Sequence, residues 1–157
     1  MKEEIDSLLQ NQTWSLVEIP NGKRALINKW VSRLKEEGDG QKRYKARLMV
    51  KGFAQKKGID FDEIFSPIIK MTPIRVILSI FATKKIFLEQ LDVKKAFLHG
   101  ELEEEIYMHQ PQGFEVKGKE GYVCKLEKSL YGLKQAPRQW YLKFDTLMVT
   151  NKFIRYQ

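Results

Sequence analysis

KWVSRLKEEGDGQKRYKARLMVK, residues 29–51, reads as two strands folded back on a short turn. In the first run Trp30 and Leu34 share one face, while Lys29, Arg33 and Lys35 fall on the other. In the return run Tyr44, Ala46, Leu48 and Val50 oppose Arg43, Lys45, Arg47 and Lys51. Period two sends successive side chains to opposite sides of a sheet. Glu36, Glu37, Gly38, Asp39 and Gly40 between the runs suit a hairpin loop. A matched register packs one face inward and leaves the other almost purely cationic, a surface suited to phosphates.

Charge along the chain points the same way. Net charge is +8. Residues 23–57 hold twelve Lys or Arg against three acids, a net of +9, so the remainder is close to neutral. A positive field concentrated in one segment attracts phosphates and releases their counterions, which makes nucleic acid the natural partner. A solvated, solubilising face is the alternative. With 157 residues, 43% of them hydrophobic, the chain suits one unit with a real core. The lone Cys124 excludes an internal disulfide framework and a cysteine-rich zinc module, and suits a buried strand thiol. No apolar stretch is long enough to span a bilayer and no signal-peptide pattern opens the chain, so no membrane partner and an intracellular setting are expected.

Outward from the ribbon, residues 1–12 are polar and fit a short surface helix. Thr72-Pro73 opens a helical run in which Ile74, Ile77, Leu78 and Phe81 should pack on a sheet. Phe87 to Val93 reads as a short apolar strand with Asp92 near its end. Asp is depleted in strands and costly to desolvate, so Asp92 needs a reason: a turn cap, an ion pair with Lys94 or Lys95, or a metal. Ile106 to His109 and Tyr122 to Leu126 suit two further strands. Pro137 suits the first turn of a last helix with a buried stripe of Trp140, Phe144, Leu147 and Met148. His99 and His109 are isolated.

Five stretches, in order, resemble a known family. Lys45-Ala46-Arg47-Leu48-Met49-Val50-Lys51-Gly52-Phe53 and Phe65-Ser66-Pro67 resemble the fingers of copia-type retrotransposon reverse transcriptases. So do Gln90-Leu91-Asp92-Val93-Lys94-Lys95-Ala96-Phe97-Leu98 and Tyr107-Met108-His109-Gln110-Pro111-Gln112-Gly113-Phe114. The most specific is the run from Ser129 to Trp140, with its Leu-Tyr-Gly-Leu-Lys-Gln-Ala-Pro-Arg core. The resemblance runs from about Trp14 onward. It implies an α+β fold, a partial right-hand polymerase of antiparallel β-hairpins and packed helices. Residues 1–86 and 99–133 would be mainly fingers, and 87–98 and 134–157 part of a palm.

The resemblance also assigns roles. Asp92 would be the first catalytic aspartate, and Val93 would offer its carbonyl to the same metal. Phe97 would screen the sugar 2′ side of an incoming nucleotide, or simply pack in the core. Tyr131 and Gly132 would line the nucleotide pocket, with Lys134 adding charge or snorkelling to solvent. Arg33, Lys35 and Arg47 are candidates for the triphosphate, and Lys29, Arg43, Lys45 and Lys51 for nucleic acid. The implied partners are RNA or an RNA–DNA primer-template and deoxynucleoside triphosphates. The implied cofactor is Mg2+, or Mn2+ in its place, serving two-metal nucleotidyl transfer. That chemistry needs a Tyr-Xaa-Asp-Asp hairpin, and no Asp-Asp occurs in these 157 residues. The thumb and RNase H segments are likewise not found, and Asp62-Glu63 reads as a fingers loop. The chain alone is therefore expected to be inactive and to leave apolar surface of its last helix uncovered. The alternative is a non-catalytic basic nucleic-acid-binding protein, and a third is an interaction fragment with charge serving solubility.

Overall fold

The computed structural model describes residues 1–36 and 40–154. Among the described residues three helices and six strands form a mixed α+β fold: α1 Lys2–Gln10, β1 Trp14–Val17, β2 Ala25–Leu26, β3 Asn28–Glu36, β4 Lys42–Val50, α2 Met71–Lys84, β5 Glu101–His109, β6 Val123–Lys128 and α3 Ala136–Thr150. Short 3-10 turns occupy Gly52–Ala54 and Ala96–His99.

One sheet has the order β1-β6-β5-β2, and β3 with β4 makes a separate two-stranded ribbon. Within the first sheet β5 and β6 are antiparallel, with Met108 opposite Cys124, and β2 joins parallel through Leu26 opposite Met108. The two strands expected at Ile106 to His109 and Tyr122 to Leu126 are therefore present and paired. In the ribbon Trp30 faces Leu48, Ser32 faces Ala46 and Leu34 faces Tyr44, so the register is the one that segregates charge. Of the expected turn, Glu37, Gly38 and Asp39 lie outside the described residues.

The core collects one face of each neighbouring element: Ile5 and Leu8 of α1, Leu48 and Val50 at the ribbon base, Ile106 and Met108, Cys124 and Leu126, then Leu130 and Leu133. The amino-terminal helix thus lies on the surface but is anchored on its inner side. Thr13 closes it, its hydroxyl donating to the Leu8 carbonyl at 2.8 Å while its own carbonyl receives the Glu127 N–H. Deleting a side chain such as Leu48, which is fully buried, would cost about 3 kcal/mol by lost transfer energy and cavity formation.

Several expectations are corrected. Phe87 to Val93 forms no strand and has no regular secondary structure, with Phe87 97% and Leu91 87% exposed. A strand needs a neighbour for its hydrogen bonds, and the described residues put none beside it. The Thr72-Pro73 helix forms as α2, but it has no buried residue, and Ile74, Ile77 and Leu78 are exposed rather than packed on a sheet. A helix closes its own hydrogen bonds and so persists where a strand does not. In α3, Pro137 sits in the first turn as expected, yet Phe144 and Leu147 are exposed and Trp140 and Met148 only half-buried. The ribbon packs inward only at its base: Tyr44, toward the tip, is 80% exposed. No helix among the described residues is long and apolar enough to cross a membrane.

Burial pushes the Cys124 thiol up from 9.0 to about 12. The folded chain keeps a proton that the unfolded chain releases, so this contribution is intact below the unfolded value and lost as pH rises through the folded one. Urea melts from about pH 8 to about pH 11 should show stability falling more steeply for the native chain than for Cys124→Ala. A thiol reagent should label Cys124 only on unfolding, and equal labelling rates in buffer and urea would contradict its burial.

Candidate functional site

The ribbon sets the electrostatics. Lys29, Arg33, Lys35, Arg43, Lys45 and Arg47 occupy alternate positions of β3 and β4, and all are exposed. Arg33 lies directly opposite Lys45, and Lys35 opposite Arg43. Like charges in cross-strand register repel, so a bound polyanion would relieve the ribbon as well as be attracted by it. Arg43 reaches Glu3 of α1 at 3.4 Å, a solvent-exposed pair. Lys51 lies beyond the end of β4, half-buried, its N–H donating to the Ile27 carbonyl.

At the ribbon base the chain from Leu130 to Gln135 is laid across the end of β4. The Val50 N–H donates to the Tyr131 carbonyl at 2.8 Å. Gly132 has φ +94, and a Cβ there would lie 2.0 Å from the Val50 carbonyl oxygen. Gly52 meets the same turn, since a Cβ on it would lie 1.9 Å from the Gly132 carbonyl oxygen. Only glycine allows both approaches. This places the Tyr131 ring between two of the predicted residues: Phe97 stands edge-on to it at 5.1 Å between centroids, and the Arg47 guanidinium lies 5.4 Å from its centroid. Phe97, Tyr131, Gly132 and Arg47 are therefore brought together, although their sequence positions span eighty-odd residues.

Lys134 is turned inward. Its ammonium donates to the Gln55 carbonyl at 3.1 Å and sits 4.8 Å from the Phe61 ring centroid. Around it lies a buried polar network that sequence reading missed. Gln55 Oε1 accepts the Lys134 N–H, Gln55 Nε2 donates to Gln135 Oε1, and Gln135 Nε2 donates to the Asp60 carbonyl. The Asp60 carboxylate accepts from the Lys56 N–H and from Arg24. The sequence carries no clear signal of it, since Gln55 stands beside Lys56 and Lys57 and Gln135 beside Lys134, where a glutamine is ordinary. Glu63 acts locally, since hydrogen bonds from the Phe65 and Ile64 N–H groups hold its carboxyl below the usual carboxylate range.

The family model described as reverse transcriptase (RNA-dependent DNA polymerase) matches residues 11–157. The chain belongs to the reverse transcriptase family. It is 65% identical to the retrovirus-related Pol polyprotein from transposon TNT 1-94 of Nicotiana tabacum, over 99% of this chain and 12% of that protein. It is 44% identical to each of the Pol polyproteins from transposons RE2 and RE1 of Arabidopsis thaliana, over 98% of this chain and 11% of each. The chain thus spans about an eighth or less of the length of these curated relatives, all retrotransposon Pol polyproteins of the copia type. No solved structure matches it.

Asp92 lies in an exposed segment without regular secondary structure, with Val93 beside it also exposed. Among the described residues no three His, Cys, Asp or Glu side chains come together to hold a metal ion. Magnesium prefers oxygen ligands from a few carboxylates together with substrate phosphates. A single solvent-exposed carboxylate does not fit a resident ion. Of the predicted metal and nucleotide positions, the structure joins Phe97, Tyr131, Gly132 and Arg47 and leaves Asp92 and Val93 in open chain. Arg33 and Lys35 share the cationic face of Arg47, farther along the ribbon.

Removing the Asp60 carboxylate leaves the Lys56 N–H without its acceptor and the Arg24 guanidinium with the Ala54 carbonyl in place of its ion pair. Asp60→Ala should therefore lower stability by about 2 kcal/mol, read as a shift in the urea midpoint. Arg24→Ala should lower stability as well, because the Asp60 carboxylate, its side chain 8% exposed, would be left with the Lys56 N–H alone.

Proposed function

We propose that this chain supplies the nucleotide- and template-facing part of an RNA-directed DNA polymerase, and that by itself it binds nucleic acid without polymerising. The observation that carries the reading is the ribbon register. It gathers the basic residues on one face and ends with Arg47 against Tyr131 and Phe97. An arginine beside aromatic rings at the edge of a cationic strip suits a triphosphate with its base and sugar.

In this reading residues 1–86 and 99–133 are mainly fingers, and 87–98 and 134–157 belong to an incomplete palm. Arg33, Lys35 and Arg47 face the triphosphate, and Lys29, Arg43, Lys45 and Lys51 face the nucleic acid backbone. Phe97 limits the sugar 2′ side, a bulky ring there favouring deoxynucleotides, while Tyr131 and Gly132 form the pocket wall. Lys134 contributes by holding the Gln55 loop more than by meeting phosphate, since its ammonium is already engaged. Asp92 and the Val93 carbonyl would contribute to a metal site completed by carboxylates that these 157 residues do not group. Magnesium or manganese would supply charge neutralisation at the attacking and leaving oxygens. The chain alone offers an ion one carboxylate and would hold it weakly.

A second reading, a non-catalytic nucleic-acid-binding protein derived from a retrotransposon, is favoured by one observation. The cationic face stands on the ribbon and requires nothing of Asp92. The transcript beyond the Gln157 codon separates the two: an open frame reaching an Asp-Asp hairpin favours the polymerase part, and a stop codon the binding protein.

Primer extension with the purified chain and Mg2+ or Mn2+ should give no Asp92-dependent DNA synthesis, and synthesis abolished by Asp92→Asn would overturn the inactivity. The chain should bind an RNA–DNA hybrid with affinity falling steeply as salt rises. Combining Lys29→Ala with Lys45→Ala should reduce the slope of log affinity against log salt by about 1.5, as expected for two lost phosphate contacts. An unchanged slope would place the nucleic acid elsewhere.

A further inference from the structure

We propose that Gln55 and Gln135 are positioning residues, whose amide-to-amide hydrogen bond fixes the Tyr131 ring beneath Arg47 and so shapes the nucleotide pocket. The pocket half of this statement rests on the function proposed above, and the positioning half does not.

Both amides are buried, Gln135 completely and Gln55 to within 4%. Burying two amides is unfavourable unless every polar atom is engaged, and an apolar pair of similar size would fill the space as well. Here the engagement runs in one direction. The Lys134 N–H can only donate, and Gln55 Oε1 accepts it at 2.8 Å. That turns Gln55 Nε2 toward Gln135 Oε1, 3.0 Å away. Gln135 Nε2 is then left to donate to the Asp60 carbonyl, which can only accept, at 2.9 Å. Amide oxygen and nitrogen are often interchangeable, but a chain with a fixed donor at one end and a fixed acceptor at the other leaves one orientation.

The relay ends on the turn that carries the pocket wall. Residue 131 is held from one side by the Val50 N–H, and residue 134 from the other by Gln55. Between them Gly132, at φ +94, has little steric restraint of its own. Without the relay, the turn would keep the Val50–Tyr131 bond and the buried side chains of Leu130 and Leu133, but would lose the polar hold on residue 134 that limits rotation about Gly132 from that side. The Tyr131 ring could then leave its edge contact with Phe97 and its place beside Arg47. The charged groups around Gln135 are engaged elsewhere. The Asp60 carboxylate faces Arg24 and the Lys56 N–H, Lys134 faces the Gln55 carbonyl and Phe61, and Arg138 donates to the Phe65 carbonyl.

The test uses the full chain, isotope-labelled at tyrosine, as native protein, Gln135→Glu and Gln135→Met. The Tyr131 ring resonances carry the ring-current shift of Phe97, so they report the position of the ring. In Gln135→Glu an ionised carboxylate has no donor for the Asp60 carbonyl. Once protonated, the introduced carboxyl donates to that carbonyl and accepts from Gln55, which restores the relay, and burial raises the pH at which this happens. The Tyr131 resonances of Gln135→Glu should be displaced at about pH 8 and return toward native positions at about pH 5, while those of the native chain hold still. Affinity for dTTP should follow the same profile, on the order of tenfold weaker at the higher pH.

Gln135→Met keeps the volume and removes both bonds, so its Tyr131 resonances should be displaced at either pH. It carries the test alone if Gln135→Glu fails to fold at the higher pH. Native Tyr131 positions in a folded Gln135→Met would overturn the positioning role. If the Tyr131 resonances respond as expected but the native chain binds no dTTP, positioning stands and the nucleotide reading falls. Arg47→Ala marks that difference, since it should weaken dTTP binding while leaving the Gln135→Glu pH response of Tyr131 in place.

Discussion

The hydrogen bond from the Val50 N–H to the Tyr131 carbonyl joins two parts of the chain that share no sheet. It is possible only because Gly132 and Gly52 bring backbone within reach of backbone, where any Cβ would strike a carbonyl oxygen. Through this joint the ribbon base, with Leu48 and Val50, becomes part of the same core as β5, β6 and the Leu130–Leu133 turn. The ribbon tip gains nothing from that core, as the exposure of Tyr44 and Leu34 makes plain. A rigid base and a solvated tip follow from the same constraint. The apolar-to-cationic division of the ribbon is enforced by packing only near Val50.

The remaining apolar surface divides by the range of its hydrogen bonds. α2 and the back of α3 stand without buried stripes, yet both are helical because each residue bonds to a carbonyl one turn away. Phe87 to Val93 is as apolar as a strand should be and forms none, since its bonds must come from a neighbour. Phe87, Leu91, Ile77 and Leu147 are accordingly left in solvent. Exposed apolar surface of this extent is seldom tolerated by an isolated soluble domain. Asp92 belongs to this unpaired stretch, and its place in open chain reflects the stretch and not any property of its carboxylate.

Legibility followed the same division. The ribbon register was readable because Arg33, Lys35, Arg43, Lys45 and Arg47 alternate with Leu34, Tyr44, Ala46 and Leu48, so that a one-residue slip would reverse both faces. The buried thiol of Cys124 and the opening of α3 at Pro137 were readable from local preference alone. What each stripe would pack against was not readable, because amphipathic periodicity names a face and never its partner. The Gln55–Gln135 relay was invisible for a further reason: its members are eighty residues apart and chemically ordinary until the glycine joint brings them together. In the candidate site, family motifs named Phe97, Tyr131, Gly132 and Arg47. Their mutual placement depends on the backbone approach at residue 132, which no spacing rule contains.

Where local rules are broken, a reason is usually required from outside the local structure. Two such breaks meet in this chain. The ribbon sets Arg33 against Lys45 and Lys35 against Arg43, although mixed charges would stabilise an isolated hairpin better. The core holds two buried amides where Leu or Met would suffice. The first keeps positive potential concentrated along a surface that packing does not need. The second removes rotational freedom from the aromatic ring at the inner end of that surface. Neither is explained by the stability of the fold, and each acts on a different half of the same contact between Arg47 and Tyr131. A cation whose direction is set by strand register, beside a ring whose position is set by a hydrogen-bond relay, forms a preorganised pair. Preorganisation of this kind lowers the ordering cost of binding a charged, planar ligand, which gives both departures a common physical purpose.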